Sequence, residues 1–163
     1  MNKETAQLNL LRTMAIAAWN SQNKYLANLI NSLSEEQLMK EIAPGRNTGI
    51  YLLGHLIAVS DALLPLLGFG DRLYPEMDEV FILNPDKSGH TMPSITELKN
   101  RLTAVNEKLD THFQSISVDE WLERHMAVSP EDFAKEPHRN KLNVLLNRTG
   151  HMANHIGQML LLK

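Results

Sequence analysis

The chain has 163 residues, 43% of them hydrophobic and 21% charged, with a formal net charge of −3. That is the profile of one globular domain, residues 1–163, large enough to bury a substantial core. The lack of cysteine excludes disulfides, thiolate metal sites and a cysteine nucleophile, and the mild acidity without a basic block speaks against nucleic acid as a partner.

The opening MNKETAQLNL carries charges and no apolar run, so no signal peptide is expected and the cytoplasm is the expected location. From about Glu4 to Asn31 a first long helix is predicted. Its apolar positions Leu8, Leu11, Ala15, Ala18, Tyr25, Leu29 and Leu33 recur at helical spacing. Trp19 and Asn23, four residues apart, are candidates to face a site from this helix, although a bundle Trp more often packs in the core. Ser34 then opens SEEQ, a capping box in which Ser34 and Gln37 satisfy each other's backbone donors, and Pro44-Gly45 ends the turn.

A second helix is predicted from Asn47 or Thr48, either able to cap it, to about Leu67. The stretch Gly49–Gly70 is apolar enough to raise a membrane question. His55, Ser60, Asp61 and Pro65 within it argue for a buried bundle helix and no membrane. Thr48, Leu52, His55, Val59 and Ala62 share one face, which points His55 inward. Asp61 lies off that face and reads as a solvent or interhelix contact. Between Gly68 and Pro93 the glycines and prolines predict a long loop, the crossover of the fold.

SITE at 94–97 is a further capping signature, and the third helix is expected to run to about Ile116. Its seam is Leu98, Leu102, Val105, Leu109, His112 and Ile116. Ser117–Glu120 and Ser129-Pro130 each open a short extra helical turn. The last long helix begins near Asn140 and continues to the chain end, where the leucines 160–162 suggest burial. The expected fold is therefore all-α, an up-down-type four-helix bundle with a long crossover between its second and third long helices.

The last helix places His151 and His155 four residues apart, hence on one face. The spacing resembles HExxH zinc helices, but Met152 stands beside His151, so the protease glutamate is missing. With His55 from the second helix the pair forms a three-nitrogen set. Three protein ligands leave a coordination position open, as in catalytic zinc sites, and imidazole also suits nickel, copper and iron. Taken singly, each histidine is more often a core or surface residue than a ligand; three on compatible faces of two helices reverse that balance.

His112 could line the same cavity, although a core histidine bonded to a neighbour is the commoner case. His90, His125 and His138 read as surface loop residues. Gln158 lies on the ligand side and Asn154 partly away from it. Both are candidates to orient the ligands, and interhelical hydrogen bonding accounts for them equally well. Met152 and Met159 read as core filling.

LLGHL at 52–56 and HMANHIGQ at 151–158, with the capped turn after the first helix, make the whole chain resemble the DinB-like superfamily of metal-binding four-helix bundles. The resemblance carries the family's ligand triad onto His55, His151 and His155. It departs at Ile156, where many members have a basic residue; that bears on substrate or dimer contacts of the basic side chain and leaves the ligands intact. It implies a divalent metal, most often zinc or nickel, and frequently a homodimer. It also implies a small-molecule substrate and, by analogy with thiol-dependent relatives, a low-molecular-weight thiol. No catalytic residue beyond the metal ligands is assigned. The expected function is metal-dependent activation of a thiol, as in a transferase, or of water, as in a hydrolase. The alternative is a metal-stabilised binding module without turnover, its site closed by a fourth ligand such as His112 or a loop histidine.

Overall fold

The most buried element is a helix of thirteen residues that the rest of the chain encloses. The computed structural model describes residues 3–163. In chain order these form α1 (Lys3–Ser32), α2 (Glu35–Leu38), α3 (Gly49–Asp61), α4 (Leu63–Leu66), α5 (Met77–Phe81), α6 (Ile95–Ser115), α7 (Val118–Trp121), α8 (Pro130–Lys135) and α9 (Lys141–Met159), and a 3₁₀ turn closes the chain at Leu160–Leu162. Among the described residues there is no strand, only isolated bridges such as Glu41 with Thr48. The fold is an all-α bundle whose long members are α1, α3, α6 and α9.

Every α3 residue except His55 is buried. α5, α6 and α9 all pack on α3, and α1 runs along α9. The apolar window 49–66 is long enough to cross a membrane by length and composition, yet 72% of it is buried inside the protein. The interior of the bundle accounts for that apolarity. Each fully buried Leu or Ile here contributes roughly 1.5–3 kcal/mol relative to exposure.

The ends of the helices follow from their caps. Ser34 and Gln37 form both halves of a capping box, as do Ser117 and Glu120. Thr48 caps α3, accepting from Tyr51 N–H, while its own N–H and hydroxyl donate to Asp86 at 2.6 and 2.9 Å. Ser129 caps α8 with Pro130 in its first turn, and Asn140 caps α9. Ser94 caps α6, but Glu97 pairs with Arg101 at 2.5 Å, so only the Ser94 half of that box forms.

Four expectations are corrected. The second helix does not run unbroken to Leu67: it stops at Asp61, and α4 follows after Ala62. Pro65 lacks the N–H that would bond the Asp61 carbonyl, and its ring clashes with that carbonyl in a continuous helix. The segment 68–93 is not all loop, because Met77 and Phe81, one turn apart, are buried and form α5 against α3. On α1 the buried face is Ala15, Ile16, Trp19, Leu26, Leu29 and Ile30, whereas Leu11 and Tyr25 are both 53% exposed.

The fourth correction is Asp61, which is shut off from solvent and whose side-chain hydrogen bonds go to the segment after α4. It is fully buried and accepts from Leu73 N–H at 2.8 Å, Tyr74 N–H at 2.9 Å and Arg72 Nε at 3.2 Å. Arg72 also pairs with Asp78 on α5 and donates to the Ala58 carbonyl at 3.1 Å. The network ties the start of the crossover to α3. At the chain end Leu162 is buried and its carbonyl accepts from Gln37 Nε2 at 2.8 Å, while Leu161 stays exposed.

Candidate metal centre

Three histidines from two helices meet at one point. His55 comes from the middle of α3, and His151 and His155 come from one face of α9, a helical turn apart. Their ligand-capable nitrogens all lie within 4.8 Å of one another. Nε2 of His151 is 3.4 Å from Nε2 of His55 and 3.0 Å from Nε2 of His155. Ligand pairs on a tetrahedral ion with bonds of about 2.0–2.1 Å stand roughly 3.3 Å apart.

The rings are aimed from behind. His55 Nδ1 donates to the Phe81 carbonyl at 2.8 Å, and His155 Nδ1 donates to Gln158 Oε1 at 2.8 Å. In each neutral ring that leaves Nε2 as a lone pair. Both lone pairs point at His151, which has one proton to offer at most, and its Nδ1 is buried with no partner. If that proton sits on Nε2 it satisfies one neighbour; if on Nδ1, three lone pairs converge. A cation resolves the frustration, so the donor set fits a divalent metal.

Electrostatics favour the neutral ring at two of the three histidines. Burial lowers the His55 pKa against the opposing pull of the Phe81 carbonyl, with smaller contributions from His155 and Arg148. Burial, then the neighbouring His155, His55 and Arg148, push His151 down to about 4. At neutral pH these two rings are therefore uncharged, the state a metal ligand requires.

Phe81 reaches His55 because Gly54 precedes it. A Cβ at Gly54 would lie 2.2 Å from the Phe81 ring, so any larger residue displaces the α5 turn that holds the His55 imidazole. The Asp61–Arg72–Asp78 network fixes the other end of the same turn.

The remaining candidates fall elsewhere. Gln158 orients His155, whereas Asn154 is exposed and does not touch the triad through any hydrogen bond. His112 stacks on Phe69 with ring centroids 4.8 Å apart. Trp19 packs edge-on against Phe113, and Asn23 donates to the Trp19 carbonyl at 3.1 Å. Trp19 and Asn23 line a cavity that no triad histidine lines. His90 sits near Glu79 and His138 is exposed. Met152 and Met159 are core residues.

Sequence reasoning missed two groups beside the triad. His125 is partly exposed as expected, but together with Leu66, Val144, Asn147, Arg148 and His151 it lines a cavity of about 310 Å³. Arg148 precedes His151 by three residues on α9, a spacing that could have flagged it. Gln158→Leu is expected to weaken metal binding about 10–100-fold in chelator competition, since the bond that orients His155 is lost. Unchanged affinity would show that packing alone holds that ring.

The family model described as the DinB superfamily matches residues 18–159, a span that includes all three histidines. Among curated proteins none matches the chain.

Proposed function

We propose that this chain, which belongs to the DinB superfamily, holds a divalent ion, zinc or nickel, on His55, His151 and His155 and uses it to activate a small thiol for group transfer. The observation that carries this reading is the convergence of three ring nitrogens, with no carboxylate and no fourth histidine joining them among the described residues. A divalent ion bound there lowers the pKa of a coordinated thiol or water toward neutrality.

The protein's own residues supply the rest. The Phe81 carbonyl and Gln158 fix the tautomers and ring orientations of His55 and His155. Burial removes proton competition at His55 and His151. Leu66 and Val144 make the cavity beside His151 partly apolar, which suits a thiol better than a bulk-water nucleophile. The absence of a carboxylate base at the triad favours the same choice, because thiolate formation at a metal needs less proton handling than amide cleavage.

A non-catalytic, metal-stabilised binding module requires a fourth protein ligand, and His112 is engaged with Phe69 instead. The exposed Leu10, Leu11 and Met14 on α1 support the homodimer that the family likeness implies. A cytoplasmic protein acting on a small molecule completes the reading.

The test is to load the protein with Co(II) and titrate 2-mercaptoethanol. A thiolate-to-cobalt charge-transfer band is expected in the near ultraviolet. One bound Co(II) per chain with no such band at saturating thiol would favour the closed module.

A further inference from the structure

The cavity beside His151 holds a charge that no described residue balances. Arg148 is half-buried on α9, and among the described residues its guanidinium has no carboxylate, hydrogen-bond or ring partner. Two other half-buried arginines are matched by carboxylates, Arg72 by Asp61 and Asp78 and Arg101 by Glu76 and Glu97, whereas Arg124 has only the Val128 carbonyl and Arg12 keeps a buried Nε unpartnered. The residues that line the cavity with Arg148 are Leu66, His125, Val144, Asn147 and His151. None is acidic.

The triad has no acidic member either. A divalent ion on three neutral imidazoles keeps its full double charge, and the guanidinium, which does not deprotonate in proteins, adds another. Several positive charges in a partly desolvated site without a counter-ion are unfavourable. An incoming anion relieves both at once. Arginine is suited to that task, because its planar fork matches a carboxylate or phosphate bidentately.

We propose that Arg148 is an anion-binding, specificity-determining residue: the small molecule that enters the triad's open side carries a carboxylate or comparable oxyanion, which the Arg148 guanidinium receives in the cavity shared with His151. Asn147 and His125 flank the position as neutral hydrogen-bonding groups. The substrate class is thus an anionic thiol or an anionic acceptor, not a neutral one. This rests on the metal reading above for the open position, but the Arg148 cavity itself is present without an ion.

Two titrations separate the claims. Co(II)-loaded protein is titrated with 3-mercaptopropionate and with 3-mercaptopropionamide, near-isosteric thiols of which only the first carries an oxyanion head. The acid is expected to bind about tenfold more tightly than the amide, the size of one charge-assisted pairing. Arg148→Gln should bring the two together by weakening the acid alone, with Co(II) content unchanged as evidence that fold and triad are intact. Equal affinities in the wild type, or the same preference in Arg148→Gln, would overturn the proposal.

In parallel, metal-free protein is titrated with propionate and propionamide while the Arg148 side-chain Nε–H resonance is followed. A shift with propionate only supports the anion site even if Co(II) never binds, an outcome that would defeat the metal reading and leave this one standing. No shift with either compound, in protein that also fails to discriminate the thiols, overturns it.

Discussion

Asp61→Ala is expected to lower the stability of the metal-free protein by about 3 kcal/mol, measured by urea denaturation. The carboxylate is fully buried, and its removal strands the N–H groups of Leu73 and Tyr74 together with one face of the Arg72 guanidinium. Breaking a buried ion pair from one side costs roughly 3–5 kcal/mol. Asp78 still faces Arg72, which places the expected loss at the lower end. Against a total stability of order 5–15 kcal/mol for a domain, that is a large fraction.

The effect should also reach the histidine triad. Asp78 lies in α5, and the Phe81 carbonyl at the end of α5 orients His55. Asp61→Ala should therefore weaken metal binding without touching a ligand. Asp61→Asn keeps one acceptor oxygen and should fall between the two. A loss below about 1 kcal/mol in Asp61→Ala, the size of an ordinary surface change, would show that the crossover is anchored by packing instead.

His151→Ala is expected to abolish stoichiometric metal binding, because His151 is the ring on which the other two converge. Its effect on stability should depend on the ion. With metal present at a hundred times its dissociation constant, the wild type gains about 2.7 kcal/mol by linkage, and the variant gains none. Without metal the substitution removes a ring whose Nδ1 is buried and unpartnered, so the cost should be about 1 kcal/mol or less. Thermal unfolding of both proteins, with and without a strong chelator, reads the difference. A chelator that lowers the melting temperature of both equally would contradict the assignment. His138→Ala, at an exposed position, should bind metal as the wild type does.

Much of this was legible in the sequence because the signals were local. Ser34, Thr48, Ser117, Ser129 and Asn140 cap the helices they were expected to open, since a cap depends on residues within one turn. The triad was legible for a related reason: i, i+4 spacing puts His151 and His155 together whatever surrounds them, and the apolar stripe of α3 turns His55 inward.

What the sequence hid depends on distant partners. α5 is five residues long and stands only because Met77 and Phe81 find α3, with Gly54 leaving room for the Phe81 ring. The acceptor for His55 is a backbone carbonyl, which no side-chain pattern announces. Asp61 looked peripheral by helical geometry because its partners come from the chain after α4. On α1 several overlapping apolar stripes were available, and the packing of α9 and α7, with Phe113 of α6 against Trp19, selects the one through Trp19 and Leu26. The spacing of Arg148 from His151 was readable, but His125 joins them only when α9 and the segment before α8 line one cavity.

The most direct test of the central claim is the metal content of untagged protein, purified without chelator and measured by elemental analysis beside His151→Ala. About one zinc or nickel per chain in the wild type, and none in the variant, is the predicted result. Wild-type protein that holds no ion even after reconstitution, or a variant that retains the same content, would contradict it.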